Sequence, residues 1–281
     1  MKKLISLLLA FVLCAGIYTV SFSADIDLLN TLGIKFDLTD DARNMTRGKF
    51  AKIVATLMGS EELSPCDTRF PDVDNTNFYS GYIEFLAAFC VISSGEGIEY
   101  HPDRDIQIAE AAKMLIAAVG LTELAEKKGG YPQGYMTVAN DFDFLKKVNF
   151  TPYVTEFEMG KLVLNAITSK LPSAGYSHKG MFYTNGNHTV ITDRMKVSGY
   201  RGTIEGVDTE TYTVRFMARE NLYENNPVVL QSREIKSYLV SKNINITEFY
   251  KAPVNIWVHE SGEIIYISLE KNVKNVYGYV S

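Results

Sequence analysis

Cysteine is scarce in this 281-residue chain, with three in all, and one of them, Cys14, lies in the N-terminal apolar stretch. Cys66 and Cys90 therefore allow at most one bridge, which excludes a disulfide-framed fold; they fit either that bridge or a free thiol buried at Cys90. No apolar run reaches the roughly 18 to 20 residues of a membrane-crossing helix. The longest, from Leu4 to about Ile17, follows Lys2 and Lys3 and gives way to Ser21, Ser23 and Ala24, the pattern of a secretory signal peptide over residues 1–24. Leu13 stands where lipidation at Cys14 would need a small residue. The expectation is an exported chain with no membrane span.

A basic excess is missing as well. The formal charge is −5, and it becomes more negative once Lys2 and Lys3 are removed with the signal. With no Lys/Arg run, nucleic acid is not an expected partner. His101, His178, His188 and His259 are scattered, without the spacing of a metal site. There is no nucleophile elbow, no phosphate-cradling glycine loop and no Cys with an evident partner His. Adjacent acids such as Asp40 with Asp41, or Glu61 with Glu62, lie in polar stretches. The chain reads as a non-enzyme without cofactor or metal. A carbohydrate-cleaving pair assembled from distant acids is the remote alternative.

What is present is a repeat. From Thr46, Gln107 and Thr155 as common origins, positions four, seven, eight and eleven residues on are Phe50, Ile53, Val54, Leu57; Ala111, Met114, Leu115, Ala118; and Met159, Leu162, Val163, Ala166. These spacings draw one apolar stripe of a helix. The sixth position is Lys52, Lys113 and Lys161, which reads as a solvated face. Each patterned helix follows another helical stretch ending in Leu32-Gly33-Ile34, Phe89-Cys90-Val91 or Phe142-Asp143-Phe144. Three helix–loop–helix pairs, none able to bury its stripe alone, are expected to close over a common core. Thr46 has the chemistry of an N-cap, and Thr155 with Glu158 that of a capping box.

After Leu171 the pattern changes. Residues 172–190 contain a Gly/Ser/Tyr/Asn-rich stretch that reads as a linker, and residues 191–281 carry short β-type runs. The runs are Val197–Val207, Thr211–Met217, Val228–Gln231, Val254–His259, Ile264–Leu269 and Val276–Val280, with Ser237–Val240 and Thr247–Tyr250 ambiguous. Glu260-Ser261-Gly262-Glu263 between two of them reads as a hairpin turn. The expected fold class is mixed: an all-α N-terminal module of three units, 25–60, 70–121 and 130–171, plus a small, mostly antiparallel β-domain, possible as a partly open barrel.

These residues resemble the S-layer homology (SLH) family over about 25–171. The middle unit carries Phe70-Pro71-Asp72-Val73, Phe78, Gly81-Tyr82-Ile83, Val91-Ile92-Ser93 and Tyr100-His101-Pro102-Asp103; the first carries Met45-Thr46-Arg47-Gly48-Lys49-Phe50. Gly130-Tyr131-Pro132 with Gly134-Tyr135 resembles the last repeat of clostridial members, which often add a β-segment. The resemblance implies a pseudo-threefold helical module holding a secreted protein non-covalently on the cell surface, by binding an acidic, often pyruvylated, secondary polysaccharide linked to peptidoglycan. It implies polysaccharide contacts at Thr46, Arg47, Asp72, Phe78, Tyr82, Gly95 and Gly97. Arg47 suits a two-pronged carboxylate contact backed by free N–H groups at the helix start. Asp72 fits a loop brace equally well, and Phe78 and Tyr82 fit the core better than a ligand site. The family's Arg is Ile108 in the second unit and Glu156 in the third, and the family's glycine is Cys90, with the glycines shifted to Gly95 and Gly97. A degenerate module acting as a scaffold for other surface proteins is the alternative function.

Overall fold

The computed structural model describes residues 26–36, 43–60, 62–178, 180–223 and 234–270. The expected signal peptide and the runs Val228–Gln231 and Val276–Val280 lie outside them. The described residues divide into two compact units, one within 32–171 and one within 172–270 together with the helical residues 26–31.

The first unit contains helices α1 (Arg47–Leu57), α2 (Ser80–Ala88), α3 (Ile108–Ala118), α4 (Thr122–Lys127), α5 (Gln133–Asp141) and α6 (Glu156–Thr168). Helices α1, α3 and α6 bury the repeated apolar positions. Thr46 and Thr155 cap α1 and α6 by accepting from Lys49 N and Glu158 N, both at 3.3 Å, a contact of roughly 1 kcal/mol each. The reciprocal half of the box belongs to α3, where Glu110 accepts from Gln107 N at 3.0 Å. Glu158 instead accepts from Asn149 N at 2.7 Å and pairs with Lys161 at 2.7 Å.

The segments entering α1, α3 and α6 are extended, and each pairs with the other two. Asn44 bridges Thr155, Thr46 bridges Asp105, and Gln107 bridges Tyr153, all antiparallel. Met45 N donates to Val154 O at 2.9 Å, Ile106 N to Met45 O at 2.8 Å, and Ile108 N to Pro152 O at 3.1 Å. Met45, Ile106 and Val154, the residues just before the three caps, are all 0 % exposed. Backbone polar groups buried here have no helical partner, so the three strand-like segments satisfy one another.

The second unit holds a two-stranded sheet, β1 (Leu171–Ser177) with β2 (Gly180–His188), a short helix α7 (Val190–Asp193), and a closed barrel. The barrel strands are β3 (Val197–Asp208), β4 (Thr213–Asn221), β5 (Ile235–Val240), β6 (Pro253–His259) and β7 (Glu263–Leu269), in the order β3-β4-β5-β7-β6. All pairings are antiparallel except β5 with β7. A 3-10 turn at Ile246–Phe249 precedes β6, and Ile204, Val214, Phe216, Val254, Ile256 and Ile264 fill the interior. This order is that of five-stranded Greek-key barrels of the OB type.

The expected fold class is therefore corrected. The chain is mixed α/β with two sheets, β-structure dominates residues 171–269, and helices are distributed over 26–168, those of residues 32–171 together with a hub of β-bridges, instead of forming an all-α module. The stretch read as a linker forms β1 and β2, in which Phe182 packs over Gly175, and the barrel is closed, not partly open. Cys66 and Cys90 are free, and Cys90 is exposed at φ 57° instead of buried. Among the described residues, no helix is long and apolar enough to cross a membrane.

Helices α4 and α5 meet where Gly134 approaches the carbonyl of Ala125; a Cβ there would lie 2.1 Å from Ala125 O. Backbone cannot give way as a side-chain end can. Gly134→Ala is expected to cost about 2–3 kcal/mol, read as a lowered urea midpoint in equilibrium unfolding.

Candidate functional site

At the start of α1, the backbone that seemed open to an anion is already engaged. Arg47 N donates to Arg104 O at 2.9 Å, Gly48 N to Pro102 O at 2.7 Å, and Lys49 N to the Thr46 cap. The Arg47 fork is engaged too: Nε donates to Tyr100 O at 2.8 Å and Nη1 to Glu110 Oε1 at 2.7 Å, while the guanidinium lies 4.4 Å from the Tyr100 ring centroid. The Tyr100 hydroxyl donates back to Arg47 O at 3.0 Å. Two of the three guanidinium nitrogens that a two-pronged contact with an outside carboxylate would draw on are thus held by the protein itself. The hub's pairing of Thr46 with Asp105 brings α1 and α3 side by side, and so creates this knot.

Glu110 Oε1 also accepts from Arg104 Nη2 at 2.6 Å. Burial opposes ionisation of Glu110, but the hydrogen bonds from Arg104 and Gln107 N and the charges of Arg47 and Arg104 outweigh it, holding the carboxyl below its ordinary range. Two guanidiniums on one carboxylate leave a local positive excess. Arg47 and Glu110 line a cleft of about 240 Å³ together with Ser93, Glu99, Tyr100, Lys113 and Tyr131. Lys113 Nζ donates to Ser93 Oγ at 2.8 Å and stands 5.4 Å from the Tyr131 ring centroid. Among the described residues the Lys113 ammonium meets no carboxylate. Tyr131 keeps its ring 49 % exposed, and burial of its hydroxyl end, reinforced by the Glu110 charge, raises its pKa.

The other sequence-selected residues are distributed around this cleft, not gathered in it. Asp72 accepts from Tyr100 N at 2.8 Å and His101 N at 2.6 Å, bracing the loop that carries the cleft wall. Tyr82 is buried, and its hydroxyl accepts from Leu63 N at 3.3 Å. Phe78, read as core, is 58 % exposed, with Lys52 Nζ 4.9 Å from its ring centroid. Gly95 and Gly97 lie in the exposed loop between Ser93 and Ile98 and do not line the cleft, Gly97 at φ 72°. Lys52, Lys113 and Lys161 are half-buried over aromatic rings and not simply solvated.

Lys113 and Tyr131 were missed as site residues. The recurrence of lysine at the sixth position, with the 130–132 motif, was the available signal, but it did not reveal that the two side chains meet. The first helical position shows how the repeat has diverged. Arg47 reaches across to the third position of α3, Glu110. Glu156 reaches to the third position of α1, Lys49, at 2.6 Å with Glu156 2 % exposed, so the signs are exchanged. Ile108 at the same place is buried and makes no ion pair. Among the described residues no group of three or more His, Cys, Asp or Glu is placed to hold a metal ion.

Two outcomes are expected. Lys49→Ala strands a buried carboxylate and should destabilise by about 3 kcal/mol, whereas Lys49→Glu with Glu156→Lys recovers most of that loss in a double-mutant cycle by chemical denaturation. Because the folded pKa values of Glu110 and Asp72 are lowered, their contribution is present above the ordinary carboxylate values and fades as pH falls through the folded ones. Unfolding followed from neutral pH to below about pH 4 should show a smaller acid loss for Glu110→Gln than for the parent chain.

No protein-family model and no curated protein matches this chain.

Proposed function

We propose that the chain is a surface protein that attaches non-covalently to the bacterial cell wall, with the Lys113–Tyr131 cleft receiving an acidic sugar of a peptidoglycan-linked secondary polysaccharide. The observation that carries this reading is the juxtaposition of an ammonium without a carboxylate partner among the described residues, an exposed aromatic face and the Ser93 hydroxyl in a cleft that Arg47 also lines. An ammonium is a point charge that takes a carboxylate from several directions. An aromatic ring offers an apolar platform to the C–H face of a sugar, and a hydroxyl can serve its O–H groups. Arg47 is a positioning residue here: it ties α1 to Tyr100 and Glu110, and adds its charge from below. The resemblance to the SLH family supports the same polymer class. In this reading the start of α6 is closed by Lys49 and Glu156, and the start of α3 is occupied by Ile108, so one cleft per chain does the work.

The test is co-sedimentation with purified cell walls, intact and chemically stripped of their acidic polymer. The full chain should be retained on intact walls, lose retention after stripping, and bind more weakly as salt rises, because the contact is exposed. Lys113→Ala and Tyr131→Ala should each weaken retention about tenfold, close to 1.4 kcal/mol, without lowering the unfolding midpoint appreciably. Undiminished retention on stripped peptidoglycan would favour a protein-binding scaffold instead.

A further inference from the structure

The barrel carries a second cleft, about 410 Å³ in volume, lined by Glu205, Asp208, Thr213, Arg215, Ser237 and Tyr250. It runs across the outer face of β3, β4 and β5, the sheet face on which OB-type barrels take extended oligomers. Its floor is shaped by an irregularity in β3. The pairing with β4 shifts between Ile204 and Gly206, and Gly206 then lies opposite Arg215. With no side chain at Gly206, the Arg215 guanidinium lies flat on the strand: a Cβ on that residue would stand 2.5 Å from Arg215 Nε and 2.7 Å from an Nη. Arg215 is exposed and, among the described residues, has no carboxylate partner. The nearby Glu205 carboxylate is held by Lys251.

Tyr250 forms one wall. It follows the 3-10 turn and is 56 % exposed, with Lys251 Nζ 5.9 Å from its ring centroid. Its hydroxyl makes no hydrogen bond among the described residues. Ser237 pairs with Arg215 across β4 and β5 and adds a hydroxyl to the same face. Asp208 holds the turn into β4 by accepting from Glu210 N at 2.9 Å and Thr211 N at 3.1 Å, and so fixes Thr213 at the rim. A fork-shaped cation, two hydroxyls and an exposed aromatic face therefore converge in a cleft within the usual size range for small ligands, about 300–1,000 Å³. Nucleic acid fits poorly, since basic and acidic residues nearly balance over 172–281 and phosphate binding needs a basic surface.

We propose that this barrel cleft is a second binding site, for a carboxylate-bearing oligosaccharide, with Arg215 taking the carboxylate through two parallel hydrogen bonds, Tyr250 stacking on the sugar ring, and Ser237 and Thr213 serving its hydroxyls. The site is independent of the Lys113–Tyr131 cleft and stands whether or not that cleft binds wall polymer.

The test is isothermal titration of the full chain with trigalacturonate, beside maltotriose as the uncharged trisaccharide and an oligothymidylate as the nucleic-acid control. Trigalacturonate should bind in the millimolar range or tighter, and maltotriose and oligothymidylate at least about tenfold more weakly. Arg215→Ala and Tyr250→Ala should each reduce trigalacturonate affinity about tenfold, and should do so equally in a Lys113→Ala background in which the other cleft is disabled. Gly206→Ala provides a variant that removes no ligand contact: its methyl displaces only the flexible end of Arg215, so affinity should drop while the unfolding midpoint holds. Absence of trigalacturonate binding, affinity indifferent to both Arg215→Ala and Tyr250→Ala, or equal affinity for maltotriose or oligothymidylate would overturn the proposal. Loss of binding in Lys113→Ala alone would place the saccharide in the other cleft and overturn it as well.

Discussion

The first unit depends on one constraint: the three segments that lead into α1, α3 and α6 must satisfy their backbone groups against each other. An isolated pair of extended segments would leave one edge of each unpaired, but three of them, each paired with the other two, leave little to solvate. Met45, Ile106 and Val154 plug the centre of that arrangement. Because each bridge ends directly at a helix cap, the hub fixes where all three helices begin. The first and third positions of neighbouring helices are therefore forced together, and charges at those positions cannot avoid one another.

From that forced proximity the chemistry of the cleft follows. Where the facing pair is Arg47 with Glu110, a second guanidinium from Arg104 joins the same carboxylate. Where it is Glu156 with Lys49, the same geometry is kept with signs reversed and the carboxylate is sealed from water. A buried ion pair is weak evidence of net stability, since desolvation offsets much of the attraction, but an unmatched partner there is costly. The first helical position thus carries charge of opposite sign at two of these junctions, and at the third it is the buried, uncharged Ile108.

The barrel solves a different problem. Its strands curl until the last pairs with a strand already used, which removes exposed edges, and the irregular pairing in β3 helps the sheet bend tightly enough to close. The same irregularity brings Gly206 opposite Arg215 and leaves a guanidinium spread over bare backbone. Closure and the polar cleft are in this sense products of one local feature.

The sequence by itself determined the helices α1, α3 and α6, their caps at Thr46 and Thr155, most strands of the barrel and the β6–β7 hairpin, because each rests on local periodicity or a local hydrogen bond. Asp72 was legible as a loop brace, whereas Arg47 was legible only as a candidate ligand contact and its bracing of Tyr100 and Glu110 was not. Tertiary structure alone decided that Arg47 is engaged by Tyr100 and Glu110, that Lys113 meets Tyr131, and that the barrel closes through a parallel β5–β7 contact. The physical reason is range. Capping and periodicity act within one or two turns of chain, whereas these contacts join residues distant in sequence whose meeting is set by backbone pairing elsewhere.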